Sequence, residues 1–110
     1  MAKLSAETPC FTVMVSVAVP PSHRDELVAL MLETTPVFAA QPGFISSHLH
    51  RSHDLARVIN YIQWRDAASH EACMASADVA SGGQPFMDFV ERHGLEVEVR
   101  TFDVVHSEEA

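Results

Sequence analysis

The sequence lacks the features that mark several common enzyme classes. It has no G-x-S-x-G nucleophile elbow, no P-loop and no G-x-G-x-x-G fingerprint. Hydrolase, kinase and dehydrogenase readings therefore have no support. Basic residues are few: seven Lys and Arg stand against fifteen Asp and Glu, a formal charge of -8. Phosphate binding needs clustered cations, so nucleic acid is not an expected partner. The acidity is read as an aid to solubility. Cysteine is limited to Cys10 and Cys73, with no C-x-x-C pair. Two such residues make no disulfide scaffold, and both are expected to be reduced core thiols. Long apolar runs are also missing. Phe11–Val19 is too short to span a bilayer, and Glu7 and Pro9 ahead of it fit a secretion signal poorly. The expectation is a soluble, cytoplasmic protein with no membrane partner.

What is present fits one folded domain. At 110 residues and 47% hydrophobic content, the chain can bury a modest core. Residues 1–9 read as a loose, flexible terminus, 10–106 as the domain and 107–110 as a polar tail. Phe11–Val19 is the first strand, with Phe11, Val13, Val15, Val17 and Val19 on one face. Pro20-Pro21 ends it. Ser22 is the expected cap of a helix carrying Leu27, Leu30, Met31, Thr34 and Phe38 at helical spacing. Pro36 inside that pattern should kink or end the helix near Thr35. Gln41-Pro42-Gly43-Phe44 suits a type II turn, with Gly supplying positive φ.

A second strand runs from Phe44 to Ser52, and a loop at His53–Ala56 leads to a third. Asp66 is the expected cap of a second helix. Ser81-Gly82-Gly83 reads as a break, and Gln84-Pro85 as the start of a third helix that Gly94 closes. The last strand starts at Leu95. Its apolar phase shifts by one near Thr101, which predicts a bulge or bend there. The order β-α-β-β-α-α-β is a ferredoxin-like α+β arrangement, an antiparallel sheet with helices on one face. The first and third strands are apolar on both sides. The uncovered face therefore needs a partner, and a two-fold homodimer is the simplest one.

The most informative stretch is Arg57–Trp64, rich in β-branched and aromatic residues. Val58, Asn60, Ile62 and Trp64 share one face of this strand. Asn60 is the anomaly, because a buried amide without a partner costs roughly 1–3 kcal/mol. Either it is satisfied inside the protein, or it is held out for a ligand beside the indole of Trp64.

The Pro-Gly-Phe turn at 42–44, the strand through His50-Arg51-Ser52 and the run Asn60-Tyr61-Ile62-Gln63-Trp64 together resemble the antibiotic biosynthesis monooxygenase family. The resemblance covers roughly residues 10–105. It implies a ferredoxin-like βαββαβ unit whose two copies close into a dimeric α+β barrel. It also implies a cofactor-independent monooxygenase that oxidises a small phenol, quinol or anthrone-like aromatic with O2, with no cofactor. The family's asparagine and tryptophan map onto Asn60 and Trp64, and a family histidine maps onto His50. These three are the expected catalytic residues. His50 qualifies only if the hairpin register turns it, with His48, toward Asn60 rather than Ser47 and Leu49. Leu49 and His70 stand where family members often carry Tyr, and about Gln84 where they carry a basic residue. The alternative is a non-catalytic dimeric barrel that binds a small metabolite.

Seven histidines raise the question of a metal. His48 and His50 share a strand face and His53 is near, but no helical H-x-x-x-H pair occurs and a third ligand would have to come from a loop. The histidines are read as surface or pocket groups, with no stoichiometric metal expected. His23, His53, His93 and His106 are expected to be exposed.

Overall fold

The computed structural model describes residues 10–110; the expected loose terminus at 1–9 lies outside them. Strand β1 (Phe11–Ala18) leads to helix α1 (Pro21–Ala39), then β2 (Phe44–Arg51) and β3 (Arg57–Trp64). Helices α2 (Ala67–Met74) and α3 (Ala77–His93) follow, and β4 (Glu96–Asp103) ends the fold. The strands form one antiparallel sheet in the order β2-β3-β1-β4. This is the expected ferredoxin-like α+β arrangement.

The β1–β3 pairing sets Val13 opposite Ile62, Val15 opposite Asn60 and Val17 opposite Val58. These residues form the helix-facing side of the sheet. Two core clusters sit on it. Val17 and Val58 pack with Leu27 and Met31 of α1 and Phe89 of α3. Val13, Ile62 and Trp64 pack with Cys73 of α2 and Val79 of α3. Thr12, Met14, Ile59 and Tyr61 point to the other side. Both cysteines are buried. Among the described residues, no helix is long and apolar enough to cross a membrane.

Several local expectations are corrected. Pro20, not Ser22, caps α1, and Pro21 takes the first helical position without any side-chain cap. Helix α1 also runs through Pro36 to Ala39. Pro36 and Leu32, whose carbonyl it leaves without its helical N–H, both lie on the exposed side. Water can satisfy that group, so the helix survives. Helix α3 starts at Ala77, capped by Ser76, and is continuous through Ser81-Gly82-Gly83. The reason is packing. A Cβ on Gly82 would stand 2.9 Å from Cγ2 of Val37, so glycine is what lets α3 approach α1 this closely. That contact outweighs the helix propensity cost of about 1 kcal/mol.

No bulge occurs in β4, which pairs with β1 without interruption from Glu96 to Asp103. The irregularity lies in β2 instead. Phe44 pairs with Trp64 and Ser46 with Gln63, leaving Ile45 unpaired. Finally, His23 and His93 are half-buried rather than exposed. Their rings stack 4.1 Å apart, and both contact Phe89.

The two neighbouring glycines of α3 should respond oppositely to alanine. At Gly83 an added Cβ meets nothing within 4 Å, so Gly83→Ala should stabilise the fold by about 0.5–1 kcal/mol. Gly82→Ala should destabilise it by pushing Val37 out of place. Urea midpoints of the two variants check the signs.

Candidate active site

Between the sheet and the helices lies a cavity of about 420 Å³, within the roughly 300–1,000 Å³ range of small-molecule sites. Valines 13, 15, 97 and 99 form part of its floor, and Met31, Phe38, Val79 and Phe86 part of its roof. Among the described residues, six lining side chains carry a nitrogen or oxygen: Thr34, Thr35, Ser47, Asn60, Trp64 and His70. The two threonine hydroxyls are already engaged, each donating to a carbonyl one turn back, at Leu30 and Met31.

Asn60 and Trp64 both line this cavity. The Asn60 amide oxygen and the Trp64 indole Nε1 are buried and have no hydrogen-bond partner among the described residues. Trp64 is wholly buried, held edge-on by Phe44 at 5.6 Å between ring centroids. A buried unsatisfied polar atom is costly, and Asn60 and Trp64, both among the lining residues, each carry one.

His50 does not join them. In β2, Leu49 pairs with Asn60, while His48 pairs with Tyr61 and His50 with Ile59. Ser47 and Leu49 therefore share the face of Asn60, and both histidines point to the other side of the sheet. The ring of His50 lies edge-on to Tyr61 at 5.7 Å. The cause is the bulge at Ile45. Phe44 faces the cavity, and strict alternation would turn Ser46, His48 and His50 the same way. One extra residue reverses that parity.

The histidine of the cavity is His70 of α2. Its ring lies 5.6 Å from that of Phe11 and 6.0 Å from that of Trp64. Its position follows from how the first turn of α2 is fixed. The Asp66 carboxylate accepts from the Ser69 backbone N–H at 2.8 Å and from the Ser69 hydroxyl at 2.7 Å. Those bonds hold its own pKa below the ordinary value. The Ser69 hydroxyl sits where a Cβ of Gly43 would be, only 2.2 Å from that point. Gly43, at φ +86°, closes the expected turn, and its carbonyl accepts from Arg65 N–H at 2.7 Å. A glycine is required there twice over, for its dihedral and for the approach of α2.

Burial lowers the pKa of His70, opposed by the negative charge of Glu71. The imidazole is therefore held neutral. In the unfolded chain it protonates near the ordinary value of 6.5, while the folded chain resists the proton until lower pH. Stability should be lost as pH falls from about 6.5 through the folded pKa. The His70 ring resonance should titrate with a midpoint below 6.5 by NMR, and His70→Phe should reduce the loss of stability over that interval.

Among the described residues no three His, Cys, Asp or Glu side chains group so as to hold a metal ion. Comparison with known proteins agrees with this architecture. Residues 10–82 match the family model of antibiotic biosynthesis monooxygenases. Tetracenomycin-F1 monooxygenase of Streptomyces glaucescens is 32% identical over 90 residues, covering 81% of this chain and 77% of that protein. The fold superposes on a variant of SnoaB, a cofactor-independent oxygenase from Streptomyces nogalater, with a TM-score of 0.71 at 19% identity, over 91% of this chain and 96% of that one. A Deinococcus radiodurans protein assigned to the same monooxygenase family gives 0.73 at 8% identity, covering 91% and 97%. The fold follows from the structural likenesses and the family from the sequence matches: the chain belongs to the antibiotic biosynthesis monooxygenase family.

Proposed function

We propose that the cavity oxidises an electron-rich phenol, quinol or anthrone with O2 and without a bound cofactor. The observation that carries this reading is the pair of buried atoms without partners, the Asn60 amide oxygen and the Trp64 indole N–H, among the side chains of an otherwise apolar cavity. Strand geometry sets their Cα atoms about 13 Å apart, with Ile62 between them. A flat fused-ring molecule lying on that wall spans such a distance. No Lys or Arg of the described chain lines the cavity, so an uncharged ring system fits better than one bearing a carboxylate. The relative named for tetracenomycin F1 and the description of SnoaB as cofactor-independent support the same reading.

The chemistry needs no flavin or metal, because the substrate supplies the electrons. Loss of a proton gives a carbanion or phenolate, which passes one electron to O2; the radical pair then combines to a peroxide. For an anthrone, the CH2 carbon and O2 become a carbonyl and one water. The Asn60 amide N–H groups would hold the oxyanion in a water-poor site, where a preorganised donor is worth roughly 2.7–4 kcal/mol. Trp64 would pack on the ring and donate its N–H to the peroxide.

The working form is proposed to be a homodimer that covers the outer face of the sheet. That face carries Met14 and Ile59, the exposed Tyr61 and Phe102, and two further buried atoms without partners, Ser46 Oγ and Gln63 Oε1. A second copy related by a two-fold axis would bury the apolar groups and offer partners to the polar ones.

Two measurements check this. Sedimentation at micromolar concentration should give a dimer; a stable monomer would refute the assembly. Oxygen uptake should occur with at least one of a panel of anthrones, quinols and catechols in air without added cofactor. Asn60→Ala should slow that turnover by about 10²–10³ while the protein stays folded. Unchanged turnover in both Asn60→Ala and Trp64→Phe would move the site elsewhere, and no uptake with the whole panel would leave metabolite binding without chemistry.

A further inference from the structure

We propose that His70 is the base that takes the substrate's proton and later returns it to the peroxide. This rests on the oxygenase reading above and adds the group that reading lacks. Carbanion or phenolate formation needs a proton acceptor within the cavity, because a charge left in apolar surroundings is costly. Among the described side chains lining the cavity, His70 is the one imidazole, the group whose ordinary pKa lies nearest neutrality. The sequence pointed to His50 instead, and the bulge in β2 turns that ring to the far side of the sheet.

The surroundings of His70 suit a base. Its ring is placed between Phe11 and Trp64, so a ring system resting against Trp64 lies beside the imidazole. Among the described residues neither imidazole nitrogen has a hydrogen-bond partner, so a lone pair is free to accept. The charged groups around it are few. Glu71 is its neighbour, Asp66 and Arg65 stand at the foot of the same helix, and Asp103 pairs with Phe11 on β4. The segments of α1, α3 and β3 that line the cavity bring no ionisable side chain to it. Burial in this setting keeps the imidazole neutral, opposed only by Glu71. A neutral base of modest strength suits an anthrone or phenol, whose own acidity rises when Asn60 stabilises its anion.

The proton count closes. His70 removes one hydrogen of the anthrone CH2 as a proton, and the carbon keeps the electron pair. O2 adds to that carbon by electron transfer and recombination, giving a peroxide anion. The imidazolium returns its proton to the terminal oxygen. His70 then takes the remaining C–H proton while the C=O bond forms and the O–O bond breaks. The departing hydroxide collects that proton and leaves as water.

Anthrone as substrate tests this with wild-type protein and His70→Phe. Phenylalanine keeps a ring between Phe11 and Trp64 and removes both nitrogens. His70→Gln serves instead where circular dichroism shows the Phe variant unfolded. Wild-type kcat/KM should be level above the titration of His70 and fall below it. The variant should lose about 10²–10⁴ in kcat with little change in KM. Its residual rate should rise with hydroxide concentration and show no plateau. Mixed with anthrone without oxygen at neutral pH, the wild type should develop the visible absorption of the anthrone anion, and the variant should not.

Failures are separable. Oxygen uptake that survives in the variant with the same plateau, or anion formation by the variant, overturns the role of His70 and leaves the oxygenase reading standing. Anion formation by wild type alone, without oxygen uptake by either protein, supports the proton transfer and overturns the oxygenase reading. Wild type that shows neither overturns both.

Discussion

The pairing of β1 with β3 is the constraint on which the rest depends. It sets a ladder of Val17–Val58, Val15–Asn60 and Val13–Ile62 along the centre of the sheet. At one end α1 and α3 close over the ladder through Leu27, Met31 and Phe89. At the other, α2 and α3 close over it through Cys73 and Val79. The middle rung holds an amide where a hydrocarbon would pack better. Val15 there touches both clusters and is only partly buried. The helices are thus anchored at two ends and stand off between them, and the cavity is the space they leave.

The same arrangement explains why so few polar groups can matter. In a cavity walled by valine, methionine and phenylalanine, a low local dielectric strengthens any hydrogen bond that the Asn60 amide or the Trp64 indole makes. The fold holds these groups in fixed places. Asn60 and Trp64 stand on a central strand paired on both sides. His70 depends on a short helix of eight residues, and short helices are weak alone. Its first turn is tied by Asp66 and Ser69 and pressed onto the turn at Gly43. The Pro-Gly-Phe turn therefore has a use beyond reversing the chain, since it seats the helix that completes the cavity.

Much of this was legible in the sequence, and what was not has identifiable causes. The alternation in Arg57–Trp64 correctly put Asn60 and Trp64 on one apolar face, because a central strand obeys its period of two without exception. The type II turn and the Asp66 cap were legible because each needs a particular residue type at one position. Pro36 and Gly82-Gly83 misled because propensity is local. A solvent-facing carbonyl rescued one helix, and contact with Val37 rescued the other. His70 was visible only as a departure from the family's usual Tyr. A better signal was the phase of α2 counted from its cap. That phase sets His70 on the side of Cys73, which is buried, and so toward the sheet. The side taken by His50 was left open because nothing in Phe44-Ile45-Ser46 announces an unpaired residue.

That unpaired residue means that the inventory of this cavity is governed by pairing as well as by side-chain choice. Ile45 works as a parity bit for β2. Bulged out of the ladder, it lets the strand show the cavity Ser47 and Leu49, a hydroxyl and a hydrocarbon. Held in regular alternation after Phe44, the same letters would show His48 and His50, two imidazoles, to the same space. Two chains with identical residues throughout β2 but differing in whether that one residue is bulged would present different chemistry to a ligand. In this fold a bulge at the start of a strand can exchange a whole set of contacts at once, a change that no single substitution within the strand could make.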